Sequence, residues 1–241
     1  MSTPKALIFD IDGTLADTER DGHRCAFNLA FGEHGLDWHW DEQTYGELLA
    51  VTGGKERLRH YAARHDPAVA GRADLDALIR AVHATKTAHY VRLAARGLIP
   101  LRPGVARLIG EARRQGITLA IATTTTPDNV DALLRATLGP DSPGWFAAIG
   151  AGDVVPAKKP APDIYLWVLE RLGLPATACL AFEDSENGLR ASLGAGLATV
   201  VTPCDYTRGQ DFSGATAVLD SLEGLAIPDL RAWLSAAAAP V

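Results

Sequence analysis

Nine residues near the N-terminus constrain this chain more than any others: Ala6-Leu7-Ile8-Phe9-Asp10-Ile11-Asp12-Gly13-Thr14. Four consecutive apolar residues without polar alternation describe a strand buried on both faces, as in a parallel sheet. The run ends in two carboxylates one residue apart, which places both at the strand's C-terminal tip. That tip is where open parallel sheets bind their ligands. Gly13 permits a sharp turn, and Thr14 adds a hydroxyl beside the acids. A chain that starts this way needs further buried strands, helices over both faces, and partners for its two acids.

Those elements follow, but only after an interruption. Residues 18–35, 41–50, 55–64 and 74–95 read as helices with no convincing strand between them, so residues 18–98 are expected to form an all-helical insert. Prolines at 100 and 103 mark its end. Beyond them helix and strand alternate: helix 103–115, strand 117–122, helix 127–138, a weak strand 146–150, a helix from Pro162 to Gly173, and strands 178–182 and 198–201. The pattern predicts an α/β fold, a doubly wound (Rossmann-like) parallel sheet with right-handed crossovers and an inserted helical domain. Its core comprises 1–17 and 99–241. The Ala236–Ala239 run reads as a frayed tail.

Composition narrows the function classes. At 241 residues and 47% hydrophobic, the chain can bury a large core. Its 23 basic and 29 acidic residues leave a formal charge of −6, with no basic tract interleaved with aromatics, so a nucleic-acid partner is not expected. No apolar run approaches membrane length and no signal peptide precedes Asp10, which reads as a cytoplasmic protein without membrane contact. Cys25, Cys179 and Cys204 form neither a disulfide framework nor a zinc site. Nothing in the sequence calls for a partner subunit, and a monomer is the expectation.

The strand tips carry the chemistry. Parallel strands bring Asp10 and Asp12, Thr123 and Thr124, Lys159, and Glu183 with Asp184 to one edge of the sheet. Carboxylates are hard oxygen ligands suited to Mg²⁺, and a neighbouring aspartate can attack phosphorus. Lysine and hydroxyls suit the equatorial oxygens of a transferring phosphate.

These motifs, in this order, resemble those of the haloacid dehalogenase-like phosphohydrolases, and the insert looks like that superfamily's helical cap. The resemblance covers nearly the whole chain. It implies Asp10 as nucleophile, Asp12 as general acid/base, and Thr123 and Lys159 as phosphate ligands, with Thr124 beside them. It also implies Mg²⁺ held by Asp10, the Asp12 carbonyl and Asp184, with Glu183 assisting.

Within the insert, Thr18 to Arg24, Trp38 to Tyr45, and Thr52-Gly53-Gly54-Lys55-Glu56-Arg57 resemble the CbbY-type branch. Members of that branch remove one phosphate from xylulose-1,5-bisphosphate, a misfire product of rubisco in the Calvin cycle. Gly53 and Gly54 let backbone N–H groups approach a ligand while Lys55 and Arg57 supply charge, an arrangement suited to a second phosphate. Glu19 and Tyr45 are candidates for the sugar hydroxyls; the role of His23 stays open. A small phosphorylated sugar is therefore the expected partner. A β-phosphoglucomutase-like mutase, a phosphoglycolate-type phosphatase and a receiver-like phospho-switch share parts of this pattern and remain alternatives.

Overall fold

A computed structural model describes residues 3–237 of the chain. Six strands, β1 (Ala6–Phe9), β2 (Thr118–Ala122), β3 (Phe146–Gly150), β4 (Cys179–Glu183), β5 (Ala198–Val201) and β6 (Ala217–Val218), form one sheet in the order β3-β2-β1-β4-β5-β6. Every pairing between them is parallel. β1 lies between β2 and β4, so the chain winds outward from it in both directions and its tip opens at the switch point.

The insert that follows β1 holds a π-helix at Glu19–Arg24 and five α-helices: α1 (Cys25–Glu33), α2 (Glu42–Leu48), α3 (Gly54–His65), α4 (Pro67–Ala70) and α5 (Leu75–Ala95). The sheet's own helices are α6 (Val105–Arg114), α7 (Pro127–Leu138), α8 (Asp163–Leu172), α9 (Glu186–Gly194) and α10 (Ile227–Ala237).

The unbroken apolar run of β1 is explained by the two layers it serves. Leu7 and Phe9 pack with Val105 and Leu108 of α6, Val130 of α7 and Leu230 of α10. Ala6 and Ile8 point the other way, onto Ile164 and Tyr165 of α8 and Ala191 of α9. Each large apolar side chain buried this way contributes about 1.5–3 kcal/mol. The insert has its own core, in which Phe27, Phe31, Trp38, Trp40 and Tyr45 pack with Leu58 and Val82. Phe31 meets Trp40 edge-on at 4.8 Å between centroids, the arrangement that ring quadrupoles favour.

Two chain crossings join the insert to the sheet. The amide of Arg102 donates to the Leu15 carbonyl at 2.8 Å. Its guanidinium donates to the carbonyls of Gly13, Thr202 (2.6 Å) and Pro203 (2.9 Å). One planar fork thus fastens both crossings and the first turn of the Asp10 loop to the segment after β5.

Several elements differ from the sequence reading. The 18–35 helix is two pieces, the π-helix and α1, joined without a break in direction. Pro103 lies before its helix, because Gly104 takes the left-handed N-cap position and α6 starts at Val105. Glu183 is the last residue of β4. α4, β6 and α10 are not apparent from pattern, being respectively one turn long, two residues long, and adjacent to an alanine run. That run is helical to Ala237, and the remainder lies outside the described residues. Among the described residues, no helix is long and apolar enough to cross a membrane.

Candidate active site

Asp10 stands one residue past β1, where its amide donates to the Phe182 carbonyl at 3.0 Å and so fixes the backbone against β4. Lys159, in the loop before α8, reaches it: Nζ lies 2.7 Å from Asp10 Oδ1, 2.6 Å from Glu183 Oε1 and 2.9 Å from the Ala122 carbonyl. All three ammonium hydrogens have acceptors. The Tyr165 hydroxyl donates to the same Glu183 oxygen, while Glu183 Oε2, also buried, has no partner. A Cβ on Gly188 would overlap the Glu183 carboxylate, and one on Gly13 would overlap that of Asp184. Both glycines are therefore required by close approach.

Asp10, Glu183 and Asp184 bring ligand oxygens within 4.8 Å of one another, and all three residues are buried. One ammonium among three carboxylates leaves an excess of two negative charges. Burial, against the pull of Lys159 and with the push of Glu183 and Asp12, raises Asp10 to about 7. Burial, then the charges of Asp10 and Glu183, hold Asp184 well above the ordinary carboxylate range. A cluster of three buried carboxylates, two of them pushed up by burial and by one another's charge, beside an orphaned oxygen fits a divalent metal of the hard, oxygen-seeking kind.

Asp12 belongs to a second network. Its Oδ1 accepts from Thr18 Oγ1 at 2.5 Å and pairs with His23 Nε2 at 2.8 Å. His23 Nδ1 in turn lies 2.7 Å from Lys86 Nζ. The ammonium has only donors, so the network assigns the neutral tautomer with its proton on Nε2, facing Asp12. Burial raises Asp12, but His23, Thr18 and Lys86 outweigh it and bring the carboxyl down to about 2. Burial lowers Lys86 to about 8, under the rings of Phe27 and Tyr90. His23, left open by sequence, is thus the link between Asp12 and a buried lysine, and nothing in the pattern of α5 singles Lys86 out.

Two adjoining cavities lie between the insert and the sheet. One, of about 270 Å³, opens over Asp10, Lys159, Glu183 and Asp184. The other, of about 410 Å³, is lined by Gly53, Gly54, Lys55, His83, Lys86 and Lys158. Asp12, Glu19, Gly53, Arg57 and Thr124 line both. Tyr45 lines neither: it is fully buried, donates to Glu19 Oε2 and accepts from Arg57 Nη1 at 2.9 Å, so it holds those two side chains at the cavity wall. Thr123 is buried as well, and its hydroxyl accepts from the Thr125 amide at 3.3 Å. Lys55 pairs with Asp153 of the loop after β3. Asp153, Lys158, Lys86 and Tyr165 escaped sequence reasoning; Lys158 alone carried a signal, its place beside Lys159.

The site is thus an acidic strand tip bridged to a lysine, with a carboxylate pair on the neighbouring strand and a helical insert above. The chain belongs to the haloacid dehalogenase-like hydrolase family, whose model matches residues 4–196. It is 58% identical to the plasmid-borne CbbY protein of Cupriavidus necator over 93% of this chain and 88% of that one. It is 52% identical to CbbY of Rhodobacter capsulatus over 94% and 98%. Among solved structures, CbbY from Rhodobacter sphaeroides in complex with phosphate superposes with a TM-score of 0.85 at 49% identity, covering 92% of this chain and 96% of that one. A mutant of the same protein in complex with xylulose-(1,5)bisphosphate gives 0.86 at 48% identity, with the same coverage.

Proposed function

We propose that this enzyme removes one phosphate from xylulose-1,5-bisphosphate, through a phosphoryl group carried on Asp10. The observation that most supports the reading is the pair of adjoining cavities: one holds the reactive carboxylate and its lysine, the other a surplus of cations. A substrate with a phosphate at each end suits both, and the CbbY structures, one of them holding that bisphosphate, agree with it. Residues 18–98 act as a cap over a core of 1–17 and 99–241.

Asp10 Oδ attacks phosphorus; an O–P bond forms to Asp10 as the bond to the sugar oxygen breaks. Asp12 gives that oxygen its proton. Asp12 is ionised in the free protein, and the dianionic phosphate entering beside it raises its carboxyl, so the proton is taken up with the substrate. In the second half Asp12, again ionised, accepts a proton from water as the water oxygen bonds to phosphorus, and Asp10 departs with the electrons of its O–P bond. Lys159 and Thr124 orient the transferring oxygens; Thr123 braces the loop that carries Thr124. Glu19, with Tyr45 and Arg57 behind it, holds sugar hydroxyls.

Asp10, Asp184 and the Asp12 carbonyl, with Glu183 assisting, would hold Mg²⁺, which when bound draws charge from the phosphate oxygens and offsets their repulsion of Asp10. Family members are generally Mg²⁺-dependent, and the excess negative charge at this cluster gives the chemical reason.

Phosphate release from a panel of phosphorylated sugars tests the reading. The bisphosphate is expected to have the highest kcat/KM, with activity lost in EDTA and regained with Mg²⁺. A higher kcat/KM for phosphoglycolate, or conversion of glucose 1-phosphate with a bisphosphate primer, would replace it.

A further inference from the structure

The second cavity holds its cations unequally. Lys86 is engaged with His23 and buried, and Arg57 donates to the Leu48 carbonyl and the Tyr45 hydroxyl. Lys55 and Lys158 have a different arrangement: both bind one carboxylate. Lys55 Nζ pairs with Asp153 Oδ2, and Lys158 Nζ lies 2.8 Å from Asp153 Oδ1. Lys158 is 3.9 Å from Glu56, the residue after Lys55. The cluster joins two parts of the molecule, because Lys55 belongs to the first turn of α3 while Asp153 and Lys158 belong to the loop after β3. Gly152, at a φ of +63°, turns the chain so that Asp153 meets the insert.

Two ammonium groups on one carboxylate make an anion site with a monoanion in it. A carboxylate presents two oxygens and one negative charge; a phosphate monoester presents three oxygens and nearly two charges. Phosphate is the better partner for this pair of lysines. Asp153 is also free to yield, since its side chain is 58% exposed and returns to water at little cost.

We propose that Asp153 is a stand-in for the phosphate that is not cleaved: it latches the helical insert onto the sheet while that phosphate is absent, and gives up Lys55 and Lys158 to it on binding. The proposal rests on the two-phosphate reading of the substrate. It makes Asp153 a specificity-determining residue of unusual sign, because a substrate with one phosphate depends on the latch whereas a bisphosphate competes with it. Both lysines hold the Asp153 carboxyl near 2, so the latch is charged at any working pH.

The test compares Asp153→Asn with the wild type on an aryl monophosphate and on a ketopentose 1,5-bisphosphate, and reads hydrogen exchange at the Thr18 and Arg102 amides without ligand. For the aryl substrate kcat/KM should fall about two- to fivefold, the range for partly exposed ion pairs. For the bisphosphate it should hold or rise by a similar factor, and exchange at the crossings should quicken. Salt at about 1 M, where the screening length is roughly 3 Å, should quicken exchange in the wild type and not in the variant. Equal losses on both substrates, or exchange unaltered by substitution and salt, would overturn the proposal. If the wild type does not hydrolyse the bisphosphate, the two-phosphate reading fails, and the exchange arm still decides whether Asp153 is a latch.

Discussion

At the scale of single residues, the site separates two aspartates of the same sequence motif by their neighbours. Asp10 faces Lys159 and two further carboxylates, and Asp12 faces His23, Thr18 and Lys86; burial and like charge raise the first, while those three partners outweigh burial and lower the second. The D-x-D spacing was legible because both acids close a strand whose apolar run is unmistakable. The difference between them was not, since Lys86 is 74 positions away from Asp12 in the chain and sits inside a helix of ordinary pattern. Tyr165 was hidden for the same reason: at helical spacing an aromatic on α8 reads as core, and its ring is core, while only its hydroxyl serves Glu183.

His83, beside these lysines, gives a pH prediction. Burial, then the charges of Lys86, Lys55 and Lys158, lower its imidazole to about 3. The unfolded chain takes up the proton near pH 6.5 and the folded one does not, so stability falls as pH drops below 6.5 and the loss is complete near 3. Between pH 7.5 and 5 this amounts to about 2 kcal/mol. Urea unfolding at both pH values should show His83→Gln losing less stability than the wild type by roughly that amount. An identical loss would mean that His83 takes up a proton in the fold.

At the scale of elements, the N-terminus of α3 is the part of the insert best placed to meet a ligand. Gly53 caps it at a φ of +96°, a backbone conformation strained for any residue with a β-carbon. The Gly-Gly-Lys pattern made this turn legible, and helix periodicity gave α2, α3, α5 and α7 nearly to the residue. The π-helix at Glu19–Arg24 was not legible, because a widened turn keeps helical spacing and shows only in the backbone.

If Lys55 meets the uncleaved phosphate, Lys55→Ala should lower kcat/KM on the bisphosphate by about one to two powers of ten, as for removal of a charge-assisted contact of roughly 1.5–3 kcal/mol. An aryl phosphate should lose only the latch, about two- to fivefold. Steady-state kinetics on both substrates supplies the ratio. Equal losses would place Lys55 in support of the insert and leave the second phosphate to other cations.

At the scale of the whole molecule, the sheet gathers its chemistry at one edge because every strand runs the same way, and the insert closes over that edge because it departs and returns beside the Asp10 loop. This much follows from alternation of helix and strand plus one interruption, which is why the doubly wound fold is legible in the sequence. What alternation cannot give is the loop traffic between tips. The Arg102 fork, the Asp153 turn and the Lys159 bridge each join segments far apart in the chain, and local pattern carries no record of them.

In the proposed reaction Asp10 takes the phosphoryl group from the bisphosphate and Asp12 manages the protons. This is tested most directly by rapid acid quench of the enzyme with xylulose-1,5-bisphosphate and Mg²⁺, followed by mass analysis of the peptide holding Asp10. A phosphoryl adduct on that peptide should form within one turnover and be absent in Asp10→Asn. Release of phosphate at the full rate with no adduct on Asp10, or undiminished turnover by Asp10→Asn, would exclude Asp10 as the nucleophile.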